Sequence, residues 1–86
     1  MTEVRFKPAF IRQYKKLSKA LRQEIREKIL LFQDNPRHSM LKTHALKGRL
    51  KGSMSFSVNY RYRIVFEWEE KDAAVLLAVG DHSVYG

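Results

Sequence analysis

The chain has 86 residues and a formal net charge of +8, and 44% of its residues are hydrophobic. A chain of this length forms one domain, residues 1–86, that can bury about 60–65% of its unfolded surface. It contains no cysteine, which excludes a disulfide framework and a thiolate metal site. No apolar run approaches the length of a membrane span, so we expect a soluble, cytoplasmic protein with no membrane contact.

The positive charge is concentrated in one part of the chain. Residues 1–51 contain 14 Lys and Arg against 4 Asp and Glu, whereas residues 52–86 contain 3 against 5. This asymmetry indicates a surface that binds phosphate groups or an acidic protein. A basic surface that serves only solubility is the alternative.

The first elements along the chain are a strand and a helix. Residues 3–7 alternate in hydropathy, with Val4 and Phe6 directed inward, which predicts a short strand. Pro8 then suits the first position of a helix, where its missing N–H needs no partner. The apolar residues of this helix recur at helical spacing: Phe10, Tyr14 and Leu17.

A second helix completes a helical hairpin. Ser18 can cap its start, and it runs to about Asp34. The Asn35-Pro36 step ends it, because a residue that precedes proline is pushed out of helical geometry. Its apolar stripe consists of Leu21, Ile25, Ile29 and Phe32.

The second half of the chain predicts strands. Residues 37–52 are polar, basic and punctuated by glycine, which indicates a loop. Alternating residues 53–58 and 61–68 and the apolar run 73–79 predict three strands, the last two joined by a charged turn. We therefore expect an α+β domain: an N-terminal strand and a helical hairpin packed on a twisted, mainly antiparallel four-stranded sheet.

The strand alternation also separates two faces of this sheet. If the aromatic side chains pack on the helices, the opposite face is polar and positive. We interpret it as a concave phosphate-binding surface, with the loop of His44 and the tail of His82 at its border. A solvated sheet face without a ligand is the alternative. The residues assigned to this face are Ser55, Ser57, Arg61 and Arg63.

Four residues have the chemistry that cleavage of RNA by its own 2′-hydroxyl requires. The reaction needs a base, an acid, and a positively charged group that stabilises the negatively charged phosphorane. His44 and His82 suit the proton transfers, and Arg63 suits the phosphate because a guanidinium binds two oxygens at once. Tyr85 can stack on a base or assist a proton transfer.

Further cations are candidates for contacts with the RNA backbone: Lys47, Arg49, Lys51 and Arg61. We expect no cofactor and no metal site, because the three histidines lack ligand spacing and no carboxylate cluster supports them.

The order of the segments resembles the RelE/ParE superfamily of toxins from type II toxin–antitoxin modules, over nearly the whole chain. The loop and terminal histidines are most similar to the YafQ branch. The resemblance rests on the opening strand, the hairpin with its Asn35-Pro36 break, and three later segments. These segments are His44-Ala45-Leu46-Lys47-Gly48, Tyr62-Arg63-Ile64-Val65-Phe66 and Gly80-Asp81-His82-Ser83-Val84-Tyr85.

The resemblance implies a metal-independent endonuclease that cuts messenger RNA on the ribosome and is blocked by a cognate acidic antitoxin. By position, His44 matches the loop histidine, and Arg63 matches the arginine at the scissile phosphate. His82 matches the general acid, and Tyr85 matches the C-terminal aromatic residue.

The chain departs from the YafQ-like pattern at Ser57, where that pattern has a histidine, and at Arg61, where it has an aspartate. Two other functions compete with cleavage. One is inhibition of DNA gyrase in the manner of ParE, which needs no nuclease site. The other is binding of RNA or antitoxin without catalysis.

Overall fold

The structure is a computed structural model that describes residues 1–81 and Val84. For Arg49 it describes the backbone but not the side chain. It contains two helices, α1 Pro8–Lys15 and α2 Lys19–Asp34. Two 3₁₀ turns follow, Ser39–Leu41 and Gly48–Leu50. The five strands are β1 Glu3–Phe6, β2 His44–Ala45, β3 Met54–Ser57, β4 Arg63–Glu70 and β5 Ala73–Gly80.

The strands form one sheet in the order β1-β5-β4-β3-β2. β1 runs parallel to β5, and every other neighbouring pair is antiparallel. The predicted α+β fold is therefore confirmed, with a correction to the strand count. The predicted loop contains a fifth, two-residue strand, in which His44 pairs with Ser55 and Ala45 with Met54.

Both helices begin where the sequence predicts, but α1 is shorter than predicted: it ends at Lys15, so Leu17 lies in the link to α2. Pro8 is the first residue of α1. The backbone N–H of Leu21 donates to the Ser18 hydroxyl at 3.2 Å, which caps α2. Asn35 ends α2 in an extended conformation. Within the described part of the chain, neither helix is long and apolar enough to cross a membrane.

The core lies between the helices and one face of the sheet. At its centre, the ring of Phe32 stacks on Phe56 with centroids 4.6 Å apart and meets Phe66 edge-on at 4.9 Å. All three side chains are fully buried, and each contributes about 1.5–3 kcal/mol by burial. The Val79 N–H donates to the Gln13 side chain at 2.9 Å and so ties α1 to the C-terminal end of β5.

The opposite face of the sheet differs from the prediction in two respects. Ser55 and Ser57 are buried, so they do not form an exposed polar surface, and of the two Ser57 alone borders a cleft, at the end of β3. Arg61 precedes β4 and lies in the β3–β4 turn, because the Asn59 side chain accepts hydrogen bonds from the N–H groups of Arg61 and Tyr62. The exposed positive charge is therefore found at the end of this face.

Candidate functional site

Arg63 is the first residue of β4, and its side chain is fixed by the backbone around it. Nη1 donates to the carbonyl oxygen of Asn59 at 2.8 Å and to that of Tyr62 at 3.3 Å. The side chain is half-buried, and among residues 1–81 and Val84 no carboxylate forms an ion pair with it. Among the described residues both of these bonds use Nη1, so the N–H groups on Nε and Nη2 suit an anion.

His44 stands on the edge strand β2 with an exposed side chain. Its Nδ1 lies 2.9 Å from the carbonyl oxygen of Lys42. Because a carbonyl oxygen only accepts, Nδ1 carries a proton in this contact, and Nε2 is the ring nitrogen that can exchange a proton with a substrate.

The register of the strands places these two side chains on one face of the sheet. His44 pairs with Ser55, Ser55 with Val65, and Val65 lies two residues from Arg63 on the same face. Two strand spacings and an offset of two residues separate the backbones of His44 and Arg63 by about 12 Å. The two groups share a face without touching each other.

The C-terminal tail begins beside Arg63. Gly80, the last residue of β5, pairs with Arg63, and the Val84 N–H donates to the Asp81 carbonyl at 3.0 Å. His82 and Tyr85, the other two predicted catalytic residues, lie in this tail outside the described residues. Their convergence with Arg63 therefore stays a prediction.

Arg63 borders an open cleft of ≈ 810 Å³, which we call the Arg63 cleft. Two of its cations, Lys28 of α2 and Lys42 after the first 3₁₀ turn, are not among the residues predicted from sequence. A 2.7 Å hydrogen bond from Asn59 to Glu24 holds the β3–β4 turn against α2, one helical turn before Lys28. The lining includes Lys28, Lys42, Ser57, Tyr60, Arg61 and Arg63.

The other predicted RNA-binding residues occupy two places. Arg61 lines the Arg63 cleft and lies 3.9 Å from the Asp81 carboxylate, with the Arg61 side chain exposed and Asp81 half-buried. Lys47 and Lys51 are exposed on either side of the second 3₁₀ turn, away from the cleft lining. The side chain of Arg49 is outside the described residues. Within the described residues, no group of three or more His, Asp or Glu side chains is placed to hold a metal ion.

The family is decided by a sequence match over nearly the whole chain. The profile of the ParE toxin of the type II toxin–antitoxin system parDE matches residues 4–84. The chain belongs to this family. The predicted RelE/ParE superfamily is thereby confirmed. A search of curated proteins finds no match.

Solved structures of toxins share the fold of this family member. YafQ from E. coli has a TM-score of 0.80 at 15% identity, with full coverage of both chains. A YoeB/ParE toxin from Agrobacterium tumefaciens has a TM-score of 0.77 at 15% identity and covers 94% of this chain and 99% of its own. In the YoeB–YefM complex from Staphylococcus aureus, the TM-score is 0.74 at 21% identity, with 95% and 98% covered. At these identities the likeness establishes the fold.

Proposed function

We propose that the chain is a ribosome-dependent endoribonuclease toxin that cleaves messenger RNA by acid–base catalysis without a metal. The observation that carries the proposal is the state of Arg63. Its guanidinium is held by two backbone carbonyls at the border of a cleft with three further cations, Lys28, Lys42 and Arg61. A cation fixed in this way is preorganised to stabilise charge that develops on a phosphate.

The reaction uses the ribose 2′-hydroxyl as the nucleophile. Nε2 of His44 takes the hydroxyl proton, the 2′-oxygen bonds to phosphorus, and the bond from phosphorus to the 5′-oxygen breaks. Arg63 stabilises the negative charge on the phosphorane. We assign the proton that the leaving oxygen needs to His82, and stacking on a neighbouring base to Tyr85. The products are a 2′,3′-cyclic phosphate and a 5′-hydroxyl.

The same proposal includes two macromolecular partners. The net charge of +8 suits the phosphate-rich surface of the ribosome and its messenger RNA. It also suits a cognate acidic antitoxin that covers the toxin. The structure of YoeB from Staphylococcus aureus, which was solved as a complex with YefM, supports this second partner.

Inhibition of DNA gyrase is the second candidate function. The match to the family described as the ParE toxin of parDE favours it. A toxin that only binds gyrase needs neither an imidazole on this face of the sheet nor an arginine that, among the described residues, is anchored through Nη1 alone, so the site favours cleavage.

Expression in bacteria followed by primer extension on cellular transcripts separates the two candidates. We expect growth arrest with new transcript ends at regular positions within codons, and no such ends in the Arg63→Ala variant. Intact transcripts together with an induced DNA-damage response would contradict the nuclease and support gyrase inhibition.

A further inference from the structure

A second cleft adjoins the Arg63 cleft at Lys42, which lines both. It has a volume of ≈ 380 Å³, and we call it the Trp68 cleft. Arg37 and Met54 line it together with Trp68. Along β4, Trp68 is five residues or about 17 Å from Arg63, and this odd separation places the two side chains on opposite faces of the sheet. The two clefts therefore connect through their shared residue Lys42 and not along one face of β4.

The wall of the Trp68 cleft is held by its own hydrogen bonds. The Thr43 hydroxyl donates to the Pro36 carbonyl at 2.8 Å and closes the segment between them. Within that segment, the Met40 N–H donates to Nδ1 of His38 at 3.1 Å, and Leu41 is buried in the core. The cleft is therefore part of the folded framework.

Trp68 presents a supported aromatic surface at the end of the cleft. Its ring stacks on Phe32 at 5.7 Å and meets Phe66 edge-on at 5.5 Å, yet the residue remains 38% exposed. An aromatic side chain held in this way suits stacking with a nucleobase, because every base has a π-face. The neighbouring Arg37 side chain is exposed and can reach a phosphate.

The charged residues that line the clefts favour one direction for a bound polyanion. Among the described residues, the two clefts are lined by five Lys and Arg and by no carboxylate. A third cleft on the other side of Trp68 is lined by Glu69, Glu70 and Asp72 as well as by Arg37 and Lys71, so its net charge is negative and it is less favourable for phosphate. An anion in contact with Trp68 is therefore directed past Lys42 toward Arg63.

We propose that the Arg63 and Trp68 clefts form one binding track for single-stranded RNA. Trp68 stacks on a nucleobase, and Arg37 and Lys42 contact the backbone phosphates between that base and Arg63. Single strands are favoured over duplexes because only an unpaired base can expose its face to Trp68. The assignment of the strand as a substrate rests on the proposed nuclease function, whereas its binding does not require cleavage.

The intrinsic fluorescence of the protein tests this track, because Trp68 is its one tryptophan. The probe is a 2′-O-methyl RNA of about eight nucleotides, a length within the usual range of single-strand binding sites, whose blocked 2′-oxygen cannot act as the nucleophile. We expect saturable quenching by the single strand and much weaker quenching by the corresponding duplex. Unchanged fluorescence at saturating RNA would overturn the proposal, as would quenching by polyglutamate alone, which would indicate a docking site for protein.

Two matched pairs of variants separate stacking from charge. Because Trp68→Leu removes the fluorophore, binding of the variants is measured by the anisotropy of end-labelled RNA. Trp68→Leu should weaken RNA binding by about 5- to 100-fold, whereas Phe6→Leu should not, although Phe6 is similarly exposed at 44% and packs on Phe10 at 5.3 Å. Arg37→Gln should reduce the slope of the log binding constant against log salt concentration by about one unit, the value for one phosphate contact. Arg12→Gln on α1 should leave this slope unchanged. A folded Trp68→Leu protein that binds RNA as tightly as the parent would contradict the track.

The track and the proposed function can fail separately. If 2′-O-methyl RNA quenches Trp68 but the chain never cuts unmodified RNA, the track stands and the nuclease function fails. If cleavage requires Arg63 while Trp68→Leu leaves RNA binding unchanged, the nuclease function stands and the track fails.

Discussion

The guanidinium of Arg63 bonds to the backbone on one edge, which a lysine cannot reproduce. An ammonium group keeps the charge but has no planar fork to hold two carbonyls and an anion together. We therefore expect Arg63→Lys to lower the rate of RNA cleavage by about 10²- to 10³-fold. A cleavage assay on purified protein checks this, with Arg12→Lys as the control. Near-parental cleavage by a folded Arg63→Lys variant would show that charge alone suffices.

The proton transfer that we assign to His44 leads to a second prediction. A glutamine side chain cannot take the 2′-hydroxyl proton, so His44→Gln should lower the rate of RNA cleavage by about 10²- to 10⁴-fold. Thermal unfolding should be little changed because the side chain is exposed. The same cleavage assay checks this, and a near-parental rate in the folded variant would assign the base to another residue.

At the residue scale, the sequence was informative where chemistry and position coincide. Arg63 could be singled out because a charge among apolar strand residues requires a partner, and His44 because an imidazole suits proton transfer. Lys28 and Lys42 could not be distinguished from the many other basic residues. Their place in the Arg63 cleft depends on how α2 and the first 3₁₀ turn pack against the β3–β4 turn.

At the scale of elements, the start of α2 depends on one hydroxyl. Ser18→Ala removes the acceptor of the Leu21 N–H and should destabilise the protein by about 1 kcal/mol. In a domain of this size, the melting temperature then falls by about 4–8 °C. Ser39→Ala is the control, since its exposed hydroxyl makes no hydrogen bond within the described residues. Equal melting curves for the two variants would argue against the cap.

Local signals predicted the long elements, whereas pairing between distant segments determined the rest. Proline, serine and the apolar stripes gave the starts of both helices and the end of α2, and alternation gave β3 and β4. β2 has two residues, too few to show a period, and it exists because His44 and Ala45 meet β3. Alternation also gave the direction of Ser55 and Ser57, but their burial depends on long-range packing with no periodic signal.

At the scale of the whole molecule, stability depends on the aromatic cluster around Phe32. Phe32→Ala should cost about 3–5 kcal/mol, a large part of the 5–15 kcal/mol typical of a domain. Chemical denaturation should show a much lower midpoint or a loss of the folded state. Tyr60→Ala, at a residue that is 96% exposed, should leave the midpoint almost unchanged. Similar midpoints for both variants would place the core elsewhere.

The central claim is that this fold holds RNA at Arg63 and cuts it with the RNA's own 2′-hydroxyl. The most direct measurement combines purified toxin with ribosomes that carry a defined messenger RNA, either unmodified or with one 2′-O-methyl group at the cut position. We predict cleavage of the unmodified RNA to a 2′,3′-cyclic phosphate, and no cleavage at the methylated position or by Arg63→Ala. Equal cleavage of both RNAs, or no cleavage of either, would contradict the claim.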